Sequence, residues 1–188
     1  MIVYNTATTA NGFLADPHDS LDWLFRVPGE APDMEPFTRD VAVCVMGATT
    51  YEWILREERL LEQPHRWAEH FRGWPTYVFT TRELPVPAGA DVRFARGPVA
   101  AVVPLVKKVA GGGTVWLMGG GDIVGQFLDA HALDRITLTL APVFLASGKP
   151  LLPRTVPPEA LTLVSTRQVG QFVEVTYDVA HPDERTAT

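Results

Sequence analysis

The sequence contains very little cysteine, and this scarcity excludes two kinds of site. Cys44 is the single cysteine among 188 residues, so neither an intramolecular disulfide nor a cysteine-based zinc cluster can form. Cys44 lies in the apolar run VAVCVM, where we expect it to pack in the core. The five histidines include no H-E-x-x-H pattern, and we therefore predict no metal.

Long apolar stretches and an excess of positive charge are also missing. No stretch of about 18 apolar residues occurs, and no basic leader precedes the first apolar residues. We therefore expect a cytoplasmic protein that does not contact membranes. Lys and Arg number 16 against 22 Asp and Glu, a balance that repels polyanions and predicts no nucleic-acid partner. The Rossmann, P-loop and zinc-deaminase motifs do not occur either.

The composition that remains is typical of a folded globular domain. Hydrophobic residues make up 46% and charged residues 20% of the chain, which indicates one core. We predict a single domain over residues 1–180 and a frayed, polar tail over 181–188.

Short apolar runs alternate with segments of helical periodicity, the pattern of parallel strands joined by helices. The last third is rich in β-branched residues, and Gly170 reads as a hairpin turn, so the sheet is expected to end antiparallel. Thr49 and Glu52 have the spacing of a capping box, and Pro104 is expected to kink or shorten its helix. We predict strands at 2–9, 41–46, 76–81, 91–95 and 115–118, and helices after Gly47, from Pro98 and over 122–130.

Three consecutive glycines, residues 119–121, stand where a predicted strand meets a helix. The N-terminus of a helix leaves backbone N–H groups unpaired and favours an anion, so a phosphate site is one interpretation. A tight turn that needs glycine only for its backbone freedom is the other. Gly47, followed by Thr49 and Thr50, forms a second junction of this kind. It is either a capped helix or the other half of a clamp for a pyrophosphate.

Hydroxyl and guanidinium groups follow two further strands. Thr81 is the last residue of the strand predicted at 76–81 and Arg82 follows it, and Arg96 follows the strand at 91–95. Such groups at neighbouring strand ends suit a phosphomonoester, because guanidinium binds its oxygens bidentately. The alternative is that each arginine is a solvated surface residue without a ligand.

The chain resembles the dihydrofolate reductase superfamily over roughly residues 1–180. The segments that carry the resemblance are GATTY at 47–51, TREL at 81–84 and VWLMGGG at 115–121, in that order. The segment 133–153 is most similar to the branch formed by the reductase domain of the riboflavin-biosynthesis deaminase/reductase and its stand-alone relatives. The resemblance implies a dihydrofolate reductase-like three-layer α/β/α fold with a mixed, mainly parallel central sheet ending in a C-terminal antiparallel hairpin. It also implies a homodimer through the C-terminal strands.

NADPH, bound across the carboxyl ends of the sheet, is the cofactor that the resemblance implies. Ala48 stands where many members carry arginine, which leaves the preference for NADPH over NADH open. The resemblance assigns roles to this chain by position. The pyrophosphate would lie between a helix that starts at Gly47, Thr49 and Thr50 and a second group formed by Gly119, Gly120, Gly121 and Asp122. The 2′-phosphate would be held by Thr81, Arg82 and Arg96, and the nicotinamide would lie beside Ala7.

The substrate side depends on one acidic residue. Folate reductases place a carboxylate on the helix after the first loop, and Asp33 is the candidate, with Glu35 and Asp22 as weaker rivals. Asp33 and Phe37 are spaced by four, so on a helix they share a face, and Trp23 and Phe37 would sandwich a flat ring. The alternatives are that Asp33 caps a helix and that both aromatic side chains belong to the core.

We therefore expect an NADPH-dependent reductase that transfers hydride to a planar nitrogen heterocycle resembling a pterin or an aminopyrimidine. One alternative is the 5-amino-6-ribosylaminouracil phosphate reductase of riboflavin synthesis, in which Lys149 would meet the substrate phosphate. Another is a non-catalytic nucleotide-binding or dimerisation module. The partners expected are a small heterocyclic substrate and a second copy of the chain.

Overall fold

The computed structural model of the protein describes residues 1–181. The predicted tail, 181–188, therefore lies outside the described residues except for His181, whose Nε2 lies 2.9 Å from Asp134 Oδ1. The strands are β1 (Ile2–Thr9), β2 (Phe13–Ala15), β3 (Val41–Gly47), β4 (Thr76–Phe79), β5 (Val92–Ala95), β6 (Thr114–Gly119), β7 (Arg135–Ala141), β8 (Lys149–Pro150), β9 (Leu161–Val169) and β10 (Phe172–Val179). The helices are α1 (Asp22–Phe25), α2 (Glu35–Thr38), α3 (Ala48–Glu57), α4 (Arg66–Phe71), α5 (Val99–Ala110) and α6 (Gly121–Asp129), with a short 3-10 helix at Pro158–Ala160.

Eight strands form one central sheet in the order β5-β4-β3-β6-β1-β7-β10-β9. The pairs from β5 to β7 are parallel, and β10 pairs antiparallel with both β7 and β9. The turn between β9 and β10 contains Gly170 at φ +54°, a conformation that favours glycine. The mixed, mainly parallel sheet with a C-terminal antiparallel hairpin is thus confirmed.

Helices cover both faces of the sheet because the central strands are apolar on both sides. On β3, Val43 and Val45 pack into the layer that includes α5 and α6, whereas Cys44 and Met46 pack into the layer of α3 and α4. All four side chains are fully buried, and each large aliphatic one contributes about 1.5–3 kcal/mol. Cys44 therefore packs in the core as predicted, and burial raises the pKa of its thiol.

Two expectations about helices are wrong. Helix α3 begins at Ala48 with Gly47 as its N-cap, so Thr49 is not the cap of a capping box. The carboxylate of Glu52 instead accepts hydrogen bonds of 2.8 and 2.6 Å from Arg82. Pro104 does not shorten helix α5, which continues to Ala110, because Val102 and Val106 on either side of the exposed proline remain packed in the core and outweigh one lost backbone hydrogen bond; the expected kink stays a prediction.

Candidate cofactor and substrate site

Two adjoining cavities open at the carboxyl edge of the central sheet. The first, of about 440 Å³, lies at the ends of β3 and β6, and the second, of about 480 Å³, lies over β1 and β7. Both volumes are within the range of small-molecule sites. Thr6, Ala7, Leu24 and Met118 line both cavities, so the two form one continuous cleft.

The first cavity forms where neighbouring strands send their helices to opposite faces of the sheet. Strands β3 and β6 are paired, with Met46 beside Gly119. After β3 the chain enters α3 on one face, and after β6 it enters α6 on the other. The two connections therefore diverge and leave a crevice between them, which is where ligands bind in open α/β sheets.

Both helices present uncapped N-termini to this crevice. Gly47 is the N-cap of α3 and Gly120 the N-cap of α6, and no side chain among the described residues caps either helix. The first N–H groups of a helix have no intrahelical acceptor. Two positive dipole ends and two sets of free donors thus meet at one place, which favours an extended anion.

The three consecutive glycines differ in what surrounds them. Gly119 has φ +146°, which favours glycine, and a Cβ there would lie 3.5 Å from the Thr50 hydroxyl. Gly121 packs against the chain itself, because a Cβ there would overlap the Pro150 carbonyl oxygen and lie 2.7 Å from that of Leu151. A Cβ at Gly120 would meet no atom within 4 Å. Gly121 is therefore explained by packing alone, whereas Gly120 faces open space.

Most of the residues predicted to bind the cofactor lie together at the first cavity. Asp122 at its rim accepts hydrogen bonds from Gln126 and Arg154, which balance its negative charge beside the helix N-terminus. Gly47 lies two residues before Thr49, the first lining residue of α3, and does not itself line the cavity. The predicted residues that line the cavity are Ala7, Trp23, Thr49, Thr50, Gly119, Gly120, Gly121 and Asp122.

The residues predicted to hold the 2′-phosphate lie elsewhere on the same edge. Thr81, Arg82 and Arg96 follow the paired strands β4 and β5 and are exposed, but they line neither cavity. Arg82 is already engaged by Glu52 of α3, and these hydrogen bonds raise the pKa of its guanidinium. A phosphate at this position would have to compete with Glu52.

The prediction that Asp33 and Phe37 lie on one face of a helix is wrong. Helix α2 begins only at Glu35, and Asp33 precedes it, accepting a 2.9 Å hydrogen bond from the Glu35 N–H through Oδ1. An aspartate before a helix satisfies free backbone donors in this way. Asp33 is exposed and lines neither cavity, and its rivals Glu35 and Asp22 do not line them either.

The two predicted aromatic residues have different surroundings. Phe37 packs edge-on against Trp116 with ring centroids 5.4 Å apart and belongs to the apolar layer beneath α3. Trp23 lines the first cavity but is only 8% exposed and packs against Phe172 and Ala141. The structure therefore does not bring the two rings together as a sandwich.

The second cavity contains residues that the sequence did not single out. Its floor is the sheet, where Asn5, Ala7 and Thr139 share one face, and its cover comes from the segment 24–34 and Phe172. The signal that was available is Asn5 itself, an amide within the otherwise apolar and β-branched run of β1. A buried amide in such a strand needs a hydrogen-bond partner.

Two kinds of site are not found in the part of the chain that the structure describes. Within residues 1–181, no helix has the length and apolar character needed to cross a membrane. Over the same range, no three or more His, Cys, Asp or Glu side chains are grouped so that they could hold a metal ion.

Comparison with known proteins identifies similar sequences and folds. A family model described as the RibD C-terminal domain matches residues 1–175. The chain is 27% identical over 172 residues to the uncharacterized protein YwjB of Bacillus subtilis (strain 168), covering 91% of this chain and 93% of that protein. It is 24% identical over 183 residues to the uncharacterized protein YyaP of the same organism, covering 94% and 93%.

Solved structures share the fold at lower identity. A protein of Shewanella sp. PV-4 provisionally assigned to riboflavin biosynthesis has a TM-score of 0.76 and 22% identity, covering 96% of this chain and 99% of that one. The Thermotoga maritima diaminohydroxyphosphoribosylaminopyrimidine deaminase/5-amino-6-(5-phosphoribosylamino)uracil reductase has a TM-score of 0.63 and 15% identity, covering 96% and 56%. Dihydrofolate reductase of Enterococcus faecalis, complexed with NADP(H), has a TM-score of 0.56 and 16% identity, covering 95% and 96%. The predicted dihydrofolate reductase-like fold is thus confirmed.

Proposed function

The chain belongs to the RibD C-terminal domain family, and from this premise we propose that it is an NADPH-dependent oxidoreductase that reduces a planar nitrogen heterocycle. The observation that carries the proposal is the meeting of two uncapped helix N-termini at one cavity, with Gly120 facing open space between them. A dinucleotide pyrophosphate has the charge and length that this arrangement suits. The dihydrofolate reductase with the same fold is complexed with NADP(H).

The proposed roles of the chain are binding and orientation. Residues 48–50 and 120–122 donate backbone N–H groups to the pyrophosphate, and Thr81, Arg82 and Arg96 hold the 2′-phosphate once Arg82 leaves Glu52. NADPH, when bound, supplies the hydride. Ala7 lines both cavities and is therefore the position at which cofactor and substrate meet. A short side chain there allows close approach of two flat rings.

The second cavity is the proposed substrate site, with the cover segment 24–34 excluding water from the reacting ring. None of the ionisable side chains described within residues 1–181 lines this cavity. Asp33 therefore has no part in the proposed reaction, and the proton that accompanies the hydride comes from water.

The proposal includes a homodimer, which the edge position and the exposed apolar side chains of β9 support. Strand β9 is the edge of the sheet, and most of its residues are exposed on both faces. Leu163 is 57% and Val164 47% exposed. An exposed apolar edge strand pairs readily with another chain.

The riboflavin-pathway reductase reaction remains a second candidate because of the family and the Thermotoga maritima neighbour. Its substrate carries a phosphate, and the cation nearest to the cleft is Lys149 at the rim of the first cavity. Lys149 Nζ lies 3.4 Å from Asp19 Oδ1, so its charge is already partly balanced.

Titration with NADPH and with NADH, followed by the fluorescence of the five tryptophans, tests the cofactor assignment. Turnover is then measured as NADPH consumption with pterin, aminopyrimidine and flavin substrates. The proposal predicts tighter binding of NADPH than of NADH and turnover of at least one neutral heterocycle. Tight NADPH binding without any turnover would favour a non-catalytic module, and failure to bind either nucleotide would overturn the proposal.

A further inference from the structure

One side-chain amide, that of Asn5, lines the second cavity and is not paired within the described residues. Asn5 is only 6% exposed and lines the cavity. Its backbone carbonyl accepts a 2.9 Å hydrogen bond from Trp116 Nε1. Within residues 1–181 no side chain or backbone group pairs with its side-chain amide, and because the amide is not among the buried polar atoms that lack a partner, it remains accessible from the cavity.

The direction of the Asn5 side chain follows from the alternation of β1. Tyr4, the preceding residue, packs on the opposite face with α5 and α6 and donates a hydrogen bond to the Leu151 carbonyl. Asn5 therefore lies on the face that carries Ala7, Trp116 and the second cavity.

Thr139 supplies a second polar group on the same face. It pairs with Ala7 across β1 and β7, is 7% exposed, and its hydroxyl has no hydrogen-bond partner in the described part of the chain. Thr139 lies two residues beyond Thr137, the partner of Asn5 on the parallel strand β7. With a rise of about 3.3 Å per residue and strands about 4.8 Å apart, Asn5 and Thr139 are about 8 Å apart, so they can bind two edges of one flat ring. Both groups have no intramolecular partner among the described residues and face an otherwise apolar cavity, so they are free to pair with a ligand that fills it.

The remaining walls of this cavity are apolar and uncharged. Glu174 lies opposite Thr139 on β10, but its carboxylate does not line the cavity and is held by Arg167 of β9. A phosphate or carboxylate would enter without a cationic partner, which carries a large desolvation penalty. The other residues that line the cavity include Leu24, Phe25, Val27, Pro32, Met34, Trp116, Met118 and Phe172.

We propose that this cavity selects an uncharged planar heterocycle, whose adjacent ring N–H and carbonyl groups pair with the Asn5 amide and whose far edge pairs with the Thr139 hydroxyl. An amide presents one acceptor and two donors side by side, which matches a lactam edge. The inference rests on the proposed function in taking this cavity as the substrate site. It adds that the part of the substrate inside the cavity carries no phosphate or carboxylate.

Pterin and pterin-6-carboxylate test the charge requirement because they differ by a single ring carboxylate and are both fluorescent. Their affinities are measured by fluorescence titration without nucleotide, so the result does not depend on NADPH binding. The wild type is expected to bind neutral pterin at least about tenfold more tightly than the carboxylate. Equal affinities, or binding of neither compound, would overturn the proposal.

Asn5→Leu tests the role of the amide, since leucine has a similar size and no hydrogen-bonding group. We expect pterin affinity to fall about tenfold or more, while stability in urea stays about the same because the Asn5 amide makes no hydrogen bond within the described residues that the substitution would remove. Thr139→Val provides a second test if Asn5→Leu does not fold, and it should also weaken pterin binding. Thr137→Val is the matched control.

Thr137 of β7 is the residue paired with Asn5 of β1. Its hydroxyl forms a 3.3 Å hydrogen bond with the hydroxyl of Thr176 and does not line the cavity. Its substitution should leave pterin affinity unchanged. Unchanged pterin affinity in Asn5→Leu and Thr139→Val would refute the assignment of these residues. If the free energy of unfolding of Asn5→Leu fell by as much as its free energy of pterin binding, Asn5 would be a structural residue. That result would also refute the proposed role of Asn5 in ligand recognition. Failure of NADPH to bind would instead count against the proposed function.

Discussion

Replacing Gly120 by alanine adds one methyl group at the N-cap of α6, where no atom of the chain lies within 4 Å of the new Cβ. The backbone there, at φ −48° and ψ 155°, accepts an alanine. Stability should therefore be retained, or rise by about 0.4–1 kcal/mol because the unfolded chain becomes stiffer. The methyl group would nevertheless occupy the space in front of the free N–H groups. Losing one hydrogen bond to a charged group costs about 1.5–3 kcal/mol, which predicts about ten- to hundredfold weaker NADPH binding.

Gly121→Ala is the matched comparison in the next residue. Its Cβ would overlap the Pro150 carbonyl oxygen and lie 2.7 Å from that of Leu151, so β8 must move. Overpacking of this kind costs about 1–3 kcal/mol. Calorimetric titration with NADPH and urea unfolding, applied to both variants, separate the two effects. If Gly120→Ala bound NADPH as tightly as the wild type does, the glycines would be only a tight turn.

Three further predictions concern the rest of the molecule. Arg82→Ala should weaken NADPH binding and spare NADH, whereas Glu52→Gln should strengthen NADPH binding because Arg82 is released; nucleotide titrations measure both, and equal loss of the two nucleotides in Arg82→Ala would refute the 2′-phosphate assignment. Cys44 should resist a thiol reagent in the folded protein and react once urea unfolds it, because burial blocks access and raises its pKa; rapid reaction of the folded protein would contradict its core position. Tyr51→Phe removes a 2.7 Å hydrogen bond to the Pro85 carbonyl and should lower the free energy of unfolding by about 1 kcal/mol; an unchanged urea midpoint would show that this bond contributes nothing.

The central sheet was predictable because its strands carry strong local signals. The run 41–46 is apolar throughout, as a strand covered on both faces must be, and Gly170 marks the final hairpin. The two glycine junctions were predictable for the same reason, since each follows a buried strand directly. Their meeting at one cavity depends on β3 pairing with β6, which a single sequence does not specify.

The errors arise where a side chain has a choice of partners. Glu52 has the spacing to cap α3, but Arg82, thirty residues away in sequence, provides a stronger, charged partner. Asp33 has the spacing to share a helix face with Phe37, but helix α2 begins two residues later than that pattern requires. Local spacing alone does not determine where so short a helix begins, because tertiary context routinely overrides local preference.

Asn5 was missed because a lone amide in a strand gives no motif. Its significance comes from its burial, its unpaired side chain and the uncharged cavity above it, all of which depend on how β1, β6 and β7 pair. Periodicity places Asn5 on one face of the sheet but does not show what covers that face.

A crystal structure of the complex with NADPH tests the central claim most directly. The account predicts that the pyrophosphate oxygens lie within hydrogen-bonding distance of backbone N–H groups from residues 48–50 and from residues 120–122, with the nicotinamide beside Ala7. A nucleotide bound away from both helix N-termini, or held by one of them alone, would contradict it.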